Sequence, residues 1–198
     1  MVSCEYLRKQ LTIDNSPFTM LSSNPKRILA ISGSLRTGSS NHAILRFLGE
    51  MAPEHLEYTI YDGLAQLPHF DSDLDNDDPP ATVSALRKQI AEADGIIICT
   101  PEYAYGVPGS LKNALDWTVS SGSLDNKPLA LITASTGGEN CHAALLLILT
   151  ALNAKVLKDA TLLIPFIRSK IDLQGNISDT ATAESLKKVF NCLLTVIK

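Results

Sequence analysis

Apolar positions along the chain fall into short continuous runs separated by longer amphipathic stretches. Lys26–Ser32 (KRILAIS), Gly95–Thr100 (GIIICT) and Pro128–Ala134 (PLALITA) are apolar runs of strand length. The unbroken run in GIIICT predicts a strand buried on both faces. Leu56–Tyr61 (LEYTIY) is rich in β-forming residues and stops at Asp62-Gly63, and Thr161–Ile164 predicts a short fifth strand. Helical spacing fills the intervals. It covers Asn41–Met51, Ala81–Ala93 with Leu86, Ile90 and Ala93 on one face, and Gly109–Val119 with Pro108 near its first turn, where a missing N–H costs nothing. Cys141–Asn153 is a strongly apolar helix, and Ala181–Ile197 turns Leu186, Val189, Phe190 and Leu193 inward.

Strand and helix alternating in about five units predict a parallel sheet with helices on both faces. Five strands in a chain of 198 residues suit an α/β, flavodoxin-like three-layer sandwich with strand order 2-1-3-4-5. One domain is expected over 26–198. Residues 1–25 have little periodicity and lack the order of a signal peptide, so they are expected to form a loosely attached extension, with Met20 a conceivable alternative start. Ligands of such sheets bind beyond the carboxyl ends of the strands, at the switch point beside strand one. The loops after Ser32, Thr100 and Ala134 therefore matter most.

Composition narrows the function classes. The net charge is −4 and no Lys/Arg-rich run occurs, which argues against a nucleic-acid partner. The longest apolar run, 143–152, is about half the length that spans a bilayer, so no membrane partner is expected. The four cysteines, Cys4, Cys99, Cys141 and Cys192, form no CxxC pair and have no zinc spacing. Cys99 and Cys192 look like small buried hydrophobes, and a reducing cytoplasmic setting follows. No metal site is expected.

The loop after the first strand reads Gly33-Ser34-Leu35-Arg36-Thr37-Gly38-Ser39-Ser40-Asn41. It matches neither GxGxxG nor GxxxxGK[ST]. A glycine-opened turn with four hydroxyls and one arginine feeds a helix, whose free N–H groups point at an anion. Hydroxyls add neutral donors and Arg36 a charged fork, a set that suits a phosphate monoester. The alternative is an ordinary capped turn, with Ser39, Ser40 or Asn41 as the N-cap. The loop after strand three, PEYAYGVPG, carries Tyr103 and Tyr105 where a flat ligand would extend from the phosphate half. Their rings offer an aromatic wall. Closure of the sheet edge or a subunit contact is the other reading, held as evenly for Tyr105. After strand four, Ser135-Thr136-Gly137-Gly138 allows close backbone approach, as a plain turn also would.

GSLRTGSSN together with PEYAYGVPGSLKNALDW resembles the NADPH-dependent FMN reductase family, which includes quinone, azo and chromate reductases of flavodoxin-like fold. The resemblance runs from about Lys26 to the end. It implies FMN as cofactor and NADPH or NADH as hydride donor. Ser34, Arg36, Ser39, Ser40 and Asn41 are the implied phosphate-binding residues. Pro101, Glu102, Tyr103, Ala104, Tyr105 and Gly106 are implied along the flavin ring, and Ser135, Thr136 and Gly137 near its pyrimidine side. Homodimers or homotetramers are implied, with the helix of Leu111, Leu115 and Trp117 as the candidate contact. Ala104 stands where the family usually has Asn. Glu139-Asn140-Cys141-His142 stands where many members have an Arg-containing helix.

The implied activity is FMN-dependent transfer of hydride from the nicotinamide to a small acceptor: quinone, flavin, azo compound or similar. With one phosphate-binding turn, donor and acceptor are expected to share a face in ping-pong order. No side chain is assigned as general acid or base. The alternative is a non-catalytic FMN-binding electron carrier, a type that usually has a Thr-rich phosphate loop and a strongly acidic surface. Asp71–Asp77 has carboxylates at calcium-loop spacing but lacks the glycine and the bidentate glutamate, so it is read as a solvated acidic loop. The resemblance puts it near the site mouth. Cys141 and His142 are adjacent on a helix and do not face each other, which argues against a thiol nucleophile.

Overall fold

A computed structural model of the chain describes residues 25–36 and 38–197. The expected extension, with Cys4 and Met20, lies outside the described residues apart from Pro25. The elements in chain order are β1 (Lys26–Ser32), α1 (Ser40–Glu50), β2 (Leu56–Tyr61), α2 (Ala81–Glu92), β3 (Gly95–Thr100), α3 (Gly109–Asp116), β4 (Pro128–Ala134), α4 (Glu139–Ala151), β5 (Lys155–Ile164) and α5 (Thr180–Val196). The sheet is parallel throughout, in the order β2-β1-β3-β4-β5, as the sequence pattern predicts.

Alternation along each central strand sorts the core into two layers. Leu29, Ile31, Ile96, Ile98, Leu129 and Leu131 pack with α2, α3 and α4. Ile28, Ala30, Ile97, Cys99, Ala130 and Ile132 pack with α1 and α5. All six residues of β3 are buried, which is why its run is continuously apolar.

β5 is longer than the predicted Thr161–Ile164. Lys158 and Asp159 interrupt its apolar run but are exposed, and its pairing with β4 shifts register between Leu129 and Leu131. An edge strand needs only part of its surface apolar, so periodicity understated its length. α3 stops at Asp116 instead of Val119, and α4 starts two residues early, at Glu139. Cys99 is fully buried, but Cys192 is only half-buried, which corrects its reading as a core residue.

The Asn113-to-Trp117 turn of LKNALDW has an internal task. Trp117 Nε1 and Asn113 Nδ2 donate to Pro68 O at 2.9 and 2.8 Å, and Phe70 N donates to Asn113 Oδ1 at 2.7 Å. The Phe70 ring meets Trp117 edge-on, with centroids 5.0 Å apart. Leu111, Leu115 and Trp117 are buried within the subunit, so a subunit contact of this helix would be made by its other residues. Asn113 and Trp117 fasten Pro68 and Phe70 to α3.

The acidic loop needs a correction too. Asp71 and Asp73 are exposed, but the Asp75 side chain is only 9% exposed. It accepts from Arg87 Nη2 at 2.5 Å and from Ser120 Oγ at 2.7 Å, while Arg87 Nε donates to Trp117 O. Hydrogen bonds from Arg87 and then Ser120 hold the Asp75 carboxyl below its ordinary value of 3.8. This pairing therefore stabilises the fold above the ordinary value and is lost as pH falls through the lower folded-state pKa. Asp75→Asn is expected to melt below wild type at pH 7, with the gap closing as pH drops below 3.8. Thermal unfolding across pH tests this, and a gap that stays constant contradicts it.

Candidate active site

The chain turns off β1 at a point where only glycine fits. Gly33 N donates to Cys99 O at 2.8 Å, and a Cβ on Gly33 would stand 2.1 Å from Thr100 Oγ1. Short local bonds then shape the loop: Ser34 N to Ser32 Oγ at 3.2 Å, Arg36 N to Ser34 Oγ at 3.3 Å, and Ser39 N to Arg36 O at 3.1 Å. Ser39 is the N-cap of α1, its Oγ accepting from His42 N at 3.2 Å. The Asn41 side chain is already committed. Its Nδ2 donates to Ala134 O at 3.3 Å and its Oδ1 accepts from Cys99 Sγ at 3.2 Å, tying α1 to β3 and β4. The backbone N–H groups of Ser40 and Asn41 have no acceptor among the described residues. They form the open end of the helix.

After β3, Tyr103 and Gly106 exchange hydrogen bonds at 3.1 and 2.9 Å across a two-residue turn. Ala104 (φ 48°) and Tyr105 (φ 60°) are both left-handed, the pattern of a type I′ turn. Asparagine tolerates that backbone better than alanine, so the expected Asn at this position has a conformational reason. Tyr103 OH lies 3.5 Å from Ser34 Oγ, linking the two loops. Tyr105 is 81% exposed.

Glu102 acts on the next loop. Gly138 precedes α4 with φ 127° and has no side chain to cap it. The Glu102 carboxylate accepts from Cys141 N at 2.9 Å instead, placing a negative charge at the start of α4. Ser135 Oγ reaches Glu102 O at 3.5 Å. Burial, and then the nearby Glu102 charge, push the Cys141 thiol up to about 11. Burial lowers the pKa of His142, whose Nδ1 lies 2.9 Å from Thr133 Oγ1. At neutral pH the pair is thus thiol and neutral imidazole, unsuited to nucleophilic attack.

These loops enclose a cavity of about 150 Å³ at the carboxyl edge of the sheet. Ser34, Arg36, Ser39, Ser40, Asn41, Pro101, Glu102, Tyr103, Ser135 and Thr136 all line it. Ala104, Tyr105, Gly106 and Gly137 are absent from its lining. The first three form the outward hairpin turn. Ala134, Ile167 and Arg168 line the cavity without having been expected. The last two follow β5, whose carboxyl end lies on the same edge, and that topology was the available signal.

Residues 26–168 match the family model described as NADPH-dependent FMN reductase. The chain is 38% identical over 167 residues to a quinone reductase of Escherichia coli K12, covering 81% of this chain and 89% of the relative. It is 34% identical to a 2-hydroxy-1,4-benzoquinone reductase of a Burkholderia species, covering 81% and 90%. Among solved structures it resembles the flavoenzyme NAD(P)H:(acceptor) oxidoreductase FerB of Paracoccus denitrificans. That match has a TM-score of 0.76 and 29% identity, and covers 87% of this chain and 97% of that one. Motifs, sheet order and cavity agree with these similarities, and the chain belongs to the NADPH-dependent FMN reductase family, as an FMN- and NAD(P)H-dependent oxidoreductase.

Proposed function

We propose that the cavity holds FMN and that the protein passes hydride equivalents from NAD(P)H to quinones. The observation that carries this reading is the convergence of the loops after β1, β3 and β4 on one cavity. The donor set fits the cofactor. Ser34, Ser39 and Ser40 hydroxyls, the Arg36 guanidinium and the Ser40 and Asn41 N–H groups, which have no acceptor among the described residues, suit a phosphate monoester. Pro101, Tyr103 and the Thr136 N–H, which has no acceptor among the described residues, suit a flat, hydrogen-bonding ring.

Bound FMN supplies hydride acceptance and electron delivery. The chain supplies placement. Arg36 offsets phosphate charge, and Ser39 fixes the start of α1. Glu102 acts by capping α4, which holds the ring-side loop against the Ser135-Thr136 loop. No side chain is proposed as general acid or base, and protons for the reduced acceptor come from water. Quinone is proposed as the acceptor from the relatives' activities. A cytoplasmic setting is supported by the free Cys99, Cys141 and Cys192. No helix among the described residues is long and apolar enough to cross a membrane. A homodimer or homotetramer belongs to the same proposal, supported by exposed Leu35, Tyr105 and Phe166 on the loops around the cavity.

Losing one charged hydrogen bond in Arg36→Ala is expected to cost about 1.5–3 kcal/mol of FMN affinity, roughly ten- to a hundred-fold. Flavin titration measures this, and unchanged affinity removes Arg36 from the phosphate site. Donor and acceptor are proposed to use the same face in turn. Initial-rate plots at several fixed quinone concentrations are then expected to be parallel, and intersecting lines contradict ping-pong order.

A further inference from the structure

Arg168 lies outside the motif-bearing loops, yet it lines the same cavity as Arg36, Ser34 and Ser39. Its position is built into the fold. Phe166, at φ 53°, turns the chain after β5 through a left-handed backbone that non-glycine residues rarely adopt. Phe166 N and Ile167 N then donate to Thr136 O and Ser135 O at 3.2 and 3.1 Å. Ile167 is 3% exposed and packs in the layer that holds Ile44 and Leu45 of α1. The next side chain, Arg168, lines the cavity together with Arg36, Ser39 and Ser40 at the start of α1 and with Ser135 and Thr136 after β4.

The charge pattern agrees. Arg27 and Arg87 are ion-paired elsewhere in the molecule, and Arg46, on α1 and outside the cavity lining, has no carboxylate partner within 4.0 Å among the described residues. Arg36 and Arg168 have no carboxylate partner within 4.0 Å among the described residues. Glu102, the acid that lines the cavity, is held by Cys141 N. A chain of net charge −4 thus keeps two uncommitted guanidinium groups on one small polar cavity. A phosphate monoester near neutral pH carries close to two negative charges, and planar forks recognise its oxygens in pairs.

We propose that Arg168 is a second guanidinium for the FMN phosphate, acting with Arg36 from a separate loop. This inference rests on the FMN reading above and adds a binding residue that the motifs do not contain. It makes affinity for the phosphorylated flavin depend on the segment after β5 as well as on the loop after β1.

The test is an equilibrium titration of full-length wild type, R168A and R168K with FMN and with riboflavin, which has the ring and ribityl chain but no phosphate. R168A is expected to weaken FMN about ten- to a hundred-fold while riboflavin affinity is unchanged. R168K, which keeps the charge but loses the fork, is expected to fall between. Circular dichroism and melting temperature confirm folding of each variant. Unchanged FMN affinity overturns the proposal, as does equal weakening of both flavins, which would mean disturbed loop packing. A raised KM for NADPH with FMN affinity intact would assign Arg168 to the donor nucleotide and equally overturn it. If wild type binds neither flavin, the FMN reading itself fails, an outcome distinct from failure of Arg168 alone.

Discussion

At the ends of β1 and β3 the backbone of Gly33 lies against the Thr100 side chain, with no room for a Cβ. The register that pairs Ser32 with Cys99 brings the two strand ends level, and Gly33 N bonds across to Cys99 O. The loops after β1 and β3 meet through that approach. It starts α1 above the sheet, and Asn41 then clamps the first turn of the helix to Cys99 and Ala134. A larger residue at position 33 would push the phosphate-side loop away from β3 and open the cavity between them.

The cavity divides its work between two kinds of surface. One set is made of hydroxyls, helix N–H groups and arginine, which in the proposed reading exchange hydration of a phosphate for fixed donors. The other is made of proline, a tyrosine ring and the Thr136 N–H, which in the proposed reading face a flat ring. The acid within it is spent on structure: Glu102 caps α4, whose preceding glycine cannot. That arrangement leaves the polar end positive and keeps the ring-side loops in register with each other.

How much of this the sequence disclosed follows from burial. GIIICT, KRILAIS and PLALITA read as strands because the sheet centre is covered on both faces, and their observed bounds equal the expected ones. β5 was understated because an edge strand tolerates Lys158 and Asp159. The packing of Trp117 was not legible, since a pattern of apolar positions does not say which partner covers them; here it is Pro68 and Phe70 of the same chain. Asp75 was legible as acidic but not as paired, because Arg87 lies twelve residues away and only the fold brings it near. The motif residues that line the cavity were legible from GSLRTGSSN and PEYAYGVPG. Arg168 was not, because a single arginine after a short, polar-broken strand has no spacing to mark it. The left-handed turn at Ala104 and Tyr105 was hidden as well, since neither residue advertises positive φ.

If the cavity serves catalysis and not merely flavin carriage, NADPH must reduce the flavin held in it. The most direct measurement is anaerobic addition of NADPH to the FMN-loaded protein, followed by a benzoquinone. The yellow flavin absorbance is expected to bleach within the time of a turnover and to return when quinone is added. Persistence of the colour in NADPH, with FMN demonstrably bound, would contradict it and leave an electron carrier.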